Sequence, residues 1–298
     1  MNPELLRNAR ATATACAETI SLPLRSKVWK GMAGEFSGAG VGSSLDFQDH
    51  RNYTPGDDPR HINWQAYART GNYTMKLYRE EVRPLVDFVL DVSDSMFFDE
   101  AKATRAAETF YTIITSANKA GAALTIHLLK GSASRLIPLE AVLSDQWFSI
   151  AQELNDETPN QAPQVQTIPL RANTIRVFIS DLLFPGDPAP LVRHFTQRHG
   201  SLIILAPFCP AEADPEWQGN YEFVDSESGD KASHRIEPHV LRSYKKTYSN
   251  HFTLWHNTAK RHQSPLARIP SHKTLLESLQ VDARRSEVFV ILKTLVFE

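Results

Sequence analysis

The chain has 298 residues, 42% of them hydrophobic, and carries 32 basic and 34 acidic side chains for a formal net charge of −2. This length allows one large domain or two smaller ones, each with its own hydrophobic core. The near balance of charge excludes a whole-protein electrostatic field that would attract nucleic acid or an anionic membrane. We therefore expect neither nucleic-acid binding nor membrane insertion.

The cysteines and the apolar segments indicate the cellular compartment of the protein. Cys16 and Cys209 are far apart and form neither a zinc-ligand spacing nor a disulfide framework, which suits a reducing environment. Residues 11–22 are rich in Thr and Ala and lack the apolar core of a signal peptide. The longest apolar stretch, Val288–Phe297, contains Lys293 and is shorter than the roughly twenty residues of a membrane span. We expect a cytoplasmic protein.

Strand and helix patterns alternate after residue 84. In chain order the predicted elements are strand Leu85–Asp91, helix Glu100–Lys119, strand Leu124–Leu129, edge strand Leu136–Leu139, helix Asp145–Leu154, strand Thr174–Ser180, helix Pro188–Arg198, strands Leu202–Pro207, Tyr221–Asp225 and His234–Ile236, and helix His239–His262. Such alternation predicts an α/β domain with a mostly parallel sheet flanked by helices.

The chain is predicted to have three parts. Residues 1–84 form a β-rich segment that begins with a short helix, residues 85–265 form the α/β domain, and residues 266–298 form a C-terminal segment with a final strand. The loop Asn155–Val165 is rich in Pro and Gln and interrupts the α/β pattern.

The most informative segment lies at the end of the first predicted strand, where Asp91, Ser93 and Ser95 alternate. One carboxylate and two hydroxyls on one loop are hard oxygen donors of the kind that Mg²⁺ prefers. Asp181 follows a second strand, and ligands of α/β sheets bind beyond the carboxyl ends of strands. The sequence therefore predicts a Mg²⁺ or Mn²⁺ site of Asp91, Ser93, Ser95 and Asp181. The alternative is a structural Asx/Ser turn that caps the following helix.

A second dense motif runs from Arg51 to Trp64. Pro55-Gly56 suits the central positions of a type II turn. Asp57, Asp58 and Arg60 would form an ion-paired clasp, with Ile62 and Trp64 alternating into a strand. Turn chemistry explains every residue type present, so a structural role is favoured over direct ligand binding.

In this order and spacing the two motifs resemble the bacterial family called domain of unknown function 58. The core of that family is similar to a von Willebrand factor type A domain, a Rossmann-type fold. The resemblance implies that Asp91, Ser93 and Ser95 form a metal-ion-dependent adhesion site (MIDAS). It also implies a threonine as the middle metal ligand, for which the sequence offers Thr158 or Thr167. Asn63 stands where the family usually has Asp.

The function expected from this resemblance is metal-dependent protein–protein interaction. An open coordination position on the ion would accept an Asp or Glu of a partner protein. The family implies a MoxR-type AAA+ ATPase as the partner, in a chaperone-like or complex-maturation system.

Two other functions are compatible with the residues. One is a haloacid-dehalogenase-like phosphatase or phosphotransferase, with Asp91 as nucleophile and Asp181 as metal ligand. That chemistry needs a carboxylate at position 93 as acid/base, and Ser93 cannot fill this role at neutral pH. The other is a metal-free scaffold. Because no phosphate-binding glycine loop occurs either, we expect no enzymatic activity.

Overall fold

The computed structural model describes residues 1–22, 45–80, 84–155, 161–286 and 290–291. Contacts divide the chain into two compact units. The larger one combines Met1–Gly31 with Pro84–Glu298, and the smaller one is Met32–Arg83. No helix among the described residues is long and apolar enough to cross a bilayer.

The described elements are numbered in chain order. The helices are α1 (Pro3–Thr19), α2 (Trp64–Thr70), α3 (Glu100–Lys119), α4 (Leu139–Leu143), α5 (Gln146–Gln152), α6 (Ala189–Thr196), α7 (Pro210–Ala213), α8 (Pro238–Arg261) and α9 (Leu275–Ser286). The strands are β1 (Ile20–Ser21), β2 (Leu45–Asn52), β3 (Thr74–Glu80), β4 (Leu85–Asp91), β5 (Ala123–Lys130), β6 (Ala133–Ile137), β7 (Ile175–Ile179), β8 (Ser201–Phe208), β9 (Gly219–Val224), β10 (Lys231–Ile236), β11 (Leu266–Pro270) and β12 (Val290–Ile291).

The larger unit is built on a six-stranded sheet with the strand order β11-β8-β7-β4-β5-β6. All neighbours in it are parallel except β5 and β6, which are antiparallel. The predicted α/β fold with a mostly parallel sheet is confirmed. Because Leu90 of β4 is the partner of Ile179 of β7, the residues that follow them, Asp91 and Ser180, lie side by side at the carboxyl edge of the sheet.

Helices cover both faces of this sheet. Val86, Phe88 and Leu90 of β4 belong to one core with residues of α1, α3, α5 and α9. Val89, on the opposite face of the strand, belongs to a second core with α6 and the aromatic stripe of α8. A strand that is buried on both faces reads as a continuous apolar run, and that is the pattern from which β4 was predicted.

The C-terminal part departs from the sequence expectation. Leu266–Pro270, assigned above to a separate segment, forms the edge strand β11 of the central sheet, and α9 packs against it. The strand is five residues long and contains Arg268, so it lacks the long apolar pattern of the central strands. Of the predicted final strand Val288–Phe297, only β12 is described, paired with β1; the rest lies outside the described residues.

In the smaller unit, β2 and β3 form an antiparallel pair, joined by a turn, the 3-10 helix Pro59–His61 and α2. The predicted turn is present, because Gly56 has a φ of 108° and the Asp57 N–H donates to the Thr54 carbonyl at 3.0 Å. The clasp is different from the one predicted. Arg51, rather than Arg60, forms a two-bond pair with the Asp57 carboxylate at 2.6 and 2.7 Å.

The predicted Asp58–Arg60 ion pair is present but exposed, and the strand predicted at Trp64 is absent. The Arg60 side chain is 89% exposed and lies 3.6 Å from Asp58, whose carboxylate caps a short 3-10 turn. Trp64 begins α2 instead of continuing a strand, and Asn63 accepts a hydrogen bond from the Ala66 N–H as its N-cap. Asn and Asp cap helices about equally well, so Asn63 preserves this local role.

Arg51→Ala should loosen the turn, whereas Arg60→Ala should not. The first substitution removes both charge-assisted hydrogen bonds to Asp57, and these bonds, with those from Thr54, hold the pKa of Asp57 well below its usual range. Limited chymotrypsin digestion at the adjacent Tyr53 measures the difference. Faster cleavage in the Arg60 variant, or equal cleavage in both, would contradict this assignment.

Candidate functional site

Asp91 is buried at the carboxyl end of β4, with 3% of its surface exposed. Its Oδ1 accepts a hydrogen bond from the Ser93 N–H at 3.0 Å, and its Oδ2 accepts one from the Ser180 hydroxyl at 2.7 Å. Both carboxylate oxygens are therefore held in place. No Lys or Arg among the described residues forms an ion pair with Asp91.

The two serines lie on the loop that follows. Their hydroxyl oxygens are 3.1 Å apart and half-buried. Asp94, between them, is exposed and pairs with Lys130 at 2.7 Å. The Asx turn of the structural alternative exists, but it does not cap α3, because Asp99 accepts from the Lys102 N–H at the start of that helix. Neither serine hydroxyl caps α3; the two hydroxyls form a hydrogen bond with each other.

Asp181 follows β7 and is also buried. Its Oδ1 accepts from the Leu183 N–H at 3.0 Å. Its Oδ2 accepts from the Lys102 ammonium at 2.7 Å. The preceding strand ends at Ile179, and Leu182 adopts a left-handed φ of 61°.

Lys102 is the main residue that sequence reasoning missed. Its side chain is fully buried in the larger unit and forms a second ion pair with Glu212 of α7 at 2.5 Å. Burial alone would lower the pKa of Lys102, but the attraction of Asp181 and Glu212 raises it above its usual value. The partners lie 79 and 110 residues away in the sequence, and no local spacing signals them.

Asp91 lacks such compensation. Burial, followed by repulsion from Asp181, raises the pKa of the Asp91 carboxyl from 3.8 to about 7, against the opposing effect of its hydrogen bonds. A cation bound next to this buried carboxylate would stabilise its ionised form.

An open pocket of about 290 Å³ lies at this edge of the sheet. Asp91, Ser93, Ser95 and Asp181 all line it, together with Glu212 and Lys102, the Phe98 ring, the residues Gly131, Gln161 and Pro163, the segment Leu183–Pro185, and the hairpin-tip residues Asp225, Ser226 and Glu227. The structure thus brings the four predicted donors to one place. It adds more acidic groups than cations.

Neither threonine predicted as the middle metal ligand is found in the pocket among the described residues. Thr158 lies outside the described residues. Thr167, the alternative, is exposed and donates its hydroxyl to the Gln164 carbonyl at 2.8 Å; it does not line the pocket. Among the described residues, no group of three or more His, Cys, Asp and Glu side chains is arranged as a metal cluster.

Residues 49–253 match the family described as protein of unknown function DUF58. The chain belongs to this family. The match contains the site residues of this DUF58 protein as well as its Arg51–Trp64 motif. A comparison with curated proteins finds no match.

Two solved structures show a weak likeness. One is an aerotolerance-related membrane protein from Bacteroides fragilis NCTC 9343 with multiple mutations to serines, at 13% identity and a TM-score of 0.31. The other is the conserved hypothetical protein BatB from Bacteroides thetaiotaomicron, at 10% identity and a TM-score of 0.29. Each likeness covers 59% of this DUF58 chain and 99% of the other chain.

Asp91→Asn should stabilise the metal-free protein near neutral pH, with a gain that shrinks as the pH falls from about 7 toward 3.8. The folded protein holds the Asp91 proton more tightly than the unfolded chain does, so the wild-type free energy of unfolding falls as the pH rises through this window. Asparagine has the same shape and does not titrate. Its amide oxygen still accepts from the Ser93 N–H, and its amide nitrogen donates to the Ser180 hydroxyl, which then serves as the acceptor.

Thermal melts followed by circular dichroism in EDTA, over a series of pH values, measure this gain. Asp94→Asn is the matched control, since Asp94 is exposed on the same loop, and it should show no such pH-dependent gain. A stabilisation by Asp91→Asn that grows toward low pH would overturn the assigned electrostatics.

Proposed function

We propose that this DUF58 protein binds Mg²⁺ or Mn²⁺ at the carboxyl edge of its sheet and, through the ion, a carboxylate of a partner protein. The observation that carries the proposal is Asp91, a buried carboxylate without a cationic partner among the described residues. It lies next to two half-buried hydroxyls that line an open pocket.

The donor chemistry supports the proposal. Ser93 and Ser95 would hold the ion directly, and Asp91 would supply the compensating charge, either directly or through ordered water. Asp181 is already paired with Lys102, so it would act as a second acceptor for that water. When bound, such an ion supplies a positive centre with few direct anionic ligands and an open coordination position.

The nature of the partner rests on the family. We propose a MoxR-type AAA+ ATPase, or a client protein that the two handle together, as the source of the carboxylate, in the cytoplasm. The von Willebrand factor type A-like character of the domain and its MIDAS-type metal dependence are parts of the same proposal. An Asp or Glu is the side chain that suits an electropositive, hard metal centre.

The phosphatase alternative has little support in the site. Ser93 occupies the position at which an acid/base carboxylate is needed. The buried Lys102 contacts Asp181 and Glu212 rather than Asp91, so it does not activate Asp91 as a nucleophile. We expect no metal-dependent turnover of phosphate esters.

Two observations favour the metal-free scaffold. Lys102 already neutralises part of the acidic edge, and Thr167, a candidate middle ligand, does not line the pocket. The two functions differ in their response to chelation. A scaffold binds its partner equally well in EDTA, whereas a metal-dependent module releases it.

Isothermal titration calorimetry should detect Mg²⁺ or Mn²⁺ binding by the wild-type protein. Asp91→Ala, and the pair Ser93→Ala with Ser95→Ala, remove proposed donors and should weaken binding on the order of a hundredfold or more. Asp94→Ala, on the same loop but directed toward Lys130, should bind like the wild type.

A pull-down of the MoxR-type ATPase with and without EDTA extends the test to the partner. Retention that is lost in EDTA and in the double serine variant supports the proposal. Unchanged metal binding in Asp91→Ala would move the site elsewhere, and partner retention in EDTA would leave only the scaffold.

A further inference from the structure

The hairpin of β9 and β10 places a carboxylate of the chain itself at the mouth of the site. Glu227, at the hairpin tip, accepts a hydrogen bond from the Ser95 N–H through its Oε1 at 2.9 Å. The two residues are 132 positions apart in the sequence. Glu227 is half-buried although its neighbours Ser226 and Ser228 are exposed, because its side chain enters the pocket.

The hairpin tip is preformed for this contact. The Asp225 carboxylate accepts hydrogen bonds from the backbone N–H groups of Glu227 and Ser228 at 2.9 and 2.8 Å. The Asp225 N–H donates to the Asp230 carbonyl, and Gly229 has a φ of 72° that suits the tight turn. These hydrogen bonds fix the conformation of the hairpin tip that carries Glu227.

The remaining oxygen of this side chain is available. Within the described part of the chain, Glu227 Oε2 accepts no hydrogen bond, and no Lys or Arg lies within ion-pair distance of the carboxylate. Glu227 shares the pocket with Asp91 and Asp181, and the cation that lines the described pocket, Lys102, is already paired with Asp181 and Glu212. A cap for the Ser95 N–H alone would need only a neutral acceptor.

We propose that Glu227 is an internal carboxylate ligand of the metal site, and that a partner carboxylate must displace it. This inference rests on the metal site of the proposed function and adds its regulation. The chain fills the open position from its own hairpin, which keeps the site covered until a partner competes. Movement of the β9–β10 tip away from Ser95 then accompanies partner binding.

Glu227→Gln tests the inference with Mn²⁺ alone. Glutamine has nearly the same shape and still accepts from the Ser95 N–H, so fold and hairpin position are retained; a thermal melt verifies this. Loss of a direct anionic ligand should weaken Mn²⁺ binding on the order of tenfold or more. It should also raise the water-proton relaxation rate per bound Mn²⁺, because a water molecule takes the vacated position.

Glu222→Gln is the matched control, since Glu222 lies on the same hairpin and pairs with the exposed Lys231. It should leave both the affinity and the relaxation rate unchanged. If Asp91→Ala abolishes Mn²⁺ binding while Glu227→Gln matches the wild type in both measurements, the metal site stands and the internal ligand is refuted. If the wild type binds no Mn²⁺, both proposals are refuted.

Discussion

The buried ammonium of Lys102 is the interaction on which the carboxyl edge of the sheet depends. It ties α3 to the segment after β7 through Asp181 and to α7 through Glu212. Removal of the cation from such a network leaves two uncompensated buried carboxylates, a change that typically costs about 3–5 kcal/mol. The three elements that surround the pocket are therefore fixed relative to one another by one side chain.

The same interaction decides which carboxylate is left without a partner. Lys102 satisfies Asp181 and Glu212, while Asp91 receives only hydrogen bonds, from Ser93 and Ser180. The negative charge that no cation balances is therefore that of Asp91, next to the two serine hydroxyls that line the pocket. Glu227 accepts a hydrogen bond from the Ser95 N–H at the same edge, so this edge carries the concentration of negative charge that the proposed cation site requires.

Periodicity and strand-end chemistry were sufficient to predict much of the larger unit. The limits of β4 and α3 agree with the structure because both elements carry strong local patterns, a doubly buried apolar run and a helical face of small and apolar residues. The convergence of Asp91 and Asp181 also followed, since parallel strands end at the same edge. Their binding of a metal stays a prediction.

The rest depends on contacts that have no local signature. Lys102 resembles a solvated helical lysine in the sequence, and only the tertiary fold brings Glu212 to it from 110 residues away. Arg60 was expected in a clasp with Asp57 and Asp58 and pairs with Asp58, whereas Asp57 pairs with Arg51, six residues earlier on β2. The strand β11 was missed because packing against β8, rather than its own short sequence, makes it a strand.

The most direct measurement of the central claim is a crystal structure of the protein soaked with Mn²⁺, with the anomalous signal recorded at the manganese edge. The account predicts one strong peak in the pocket, at about 2.1 Å from the hydroxyl oxygens of Ser93 and Ser95, with Lys102 still paired to Asp181. A crystal that shows no anomalous peak there at saturating Mn²⁺, or a peak at another place on the chain, would contradict it.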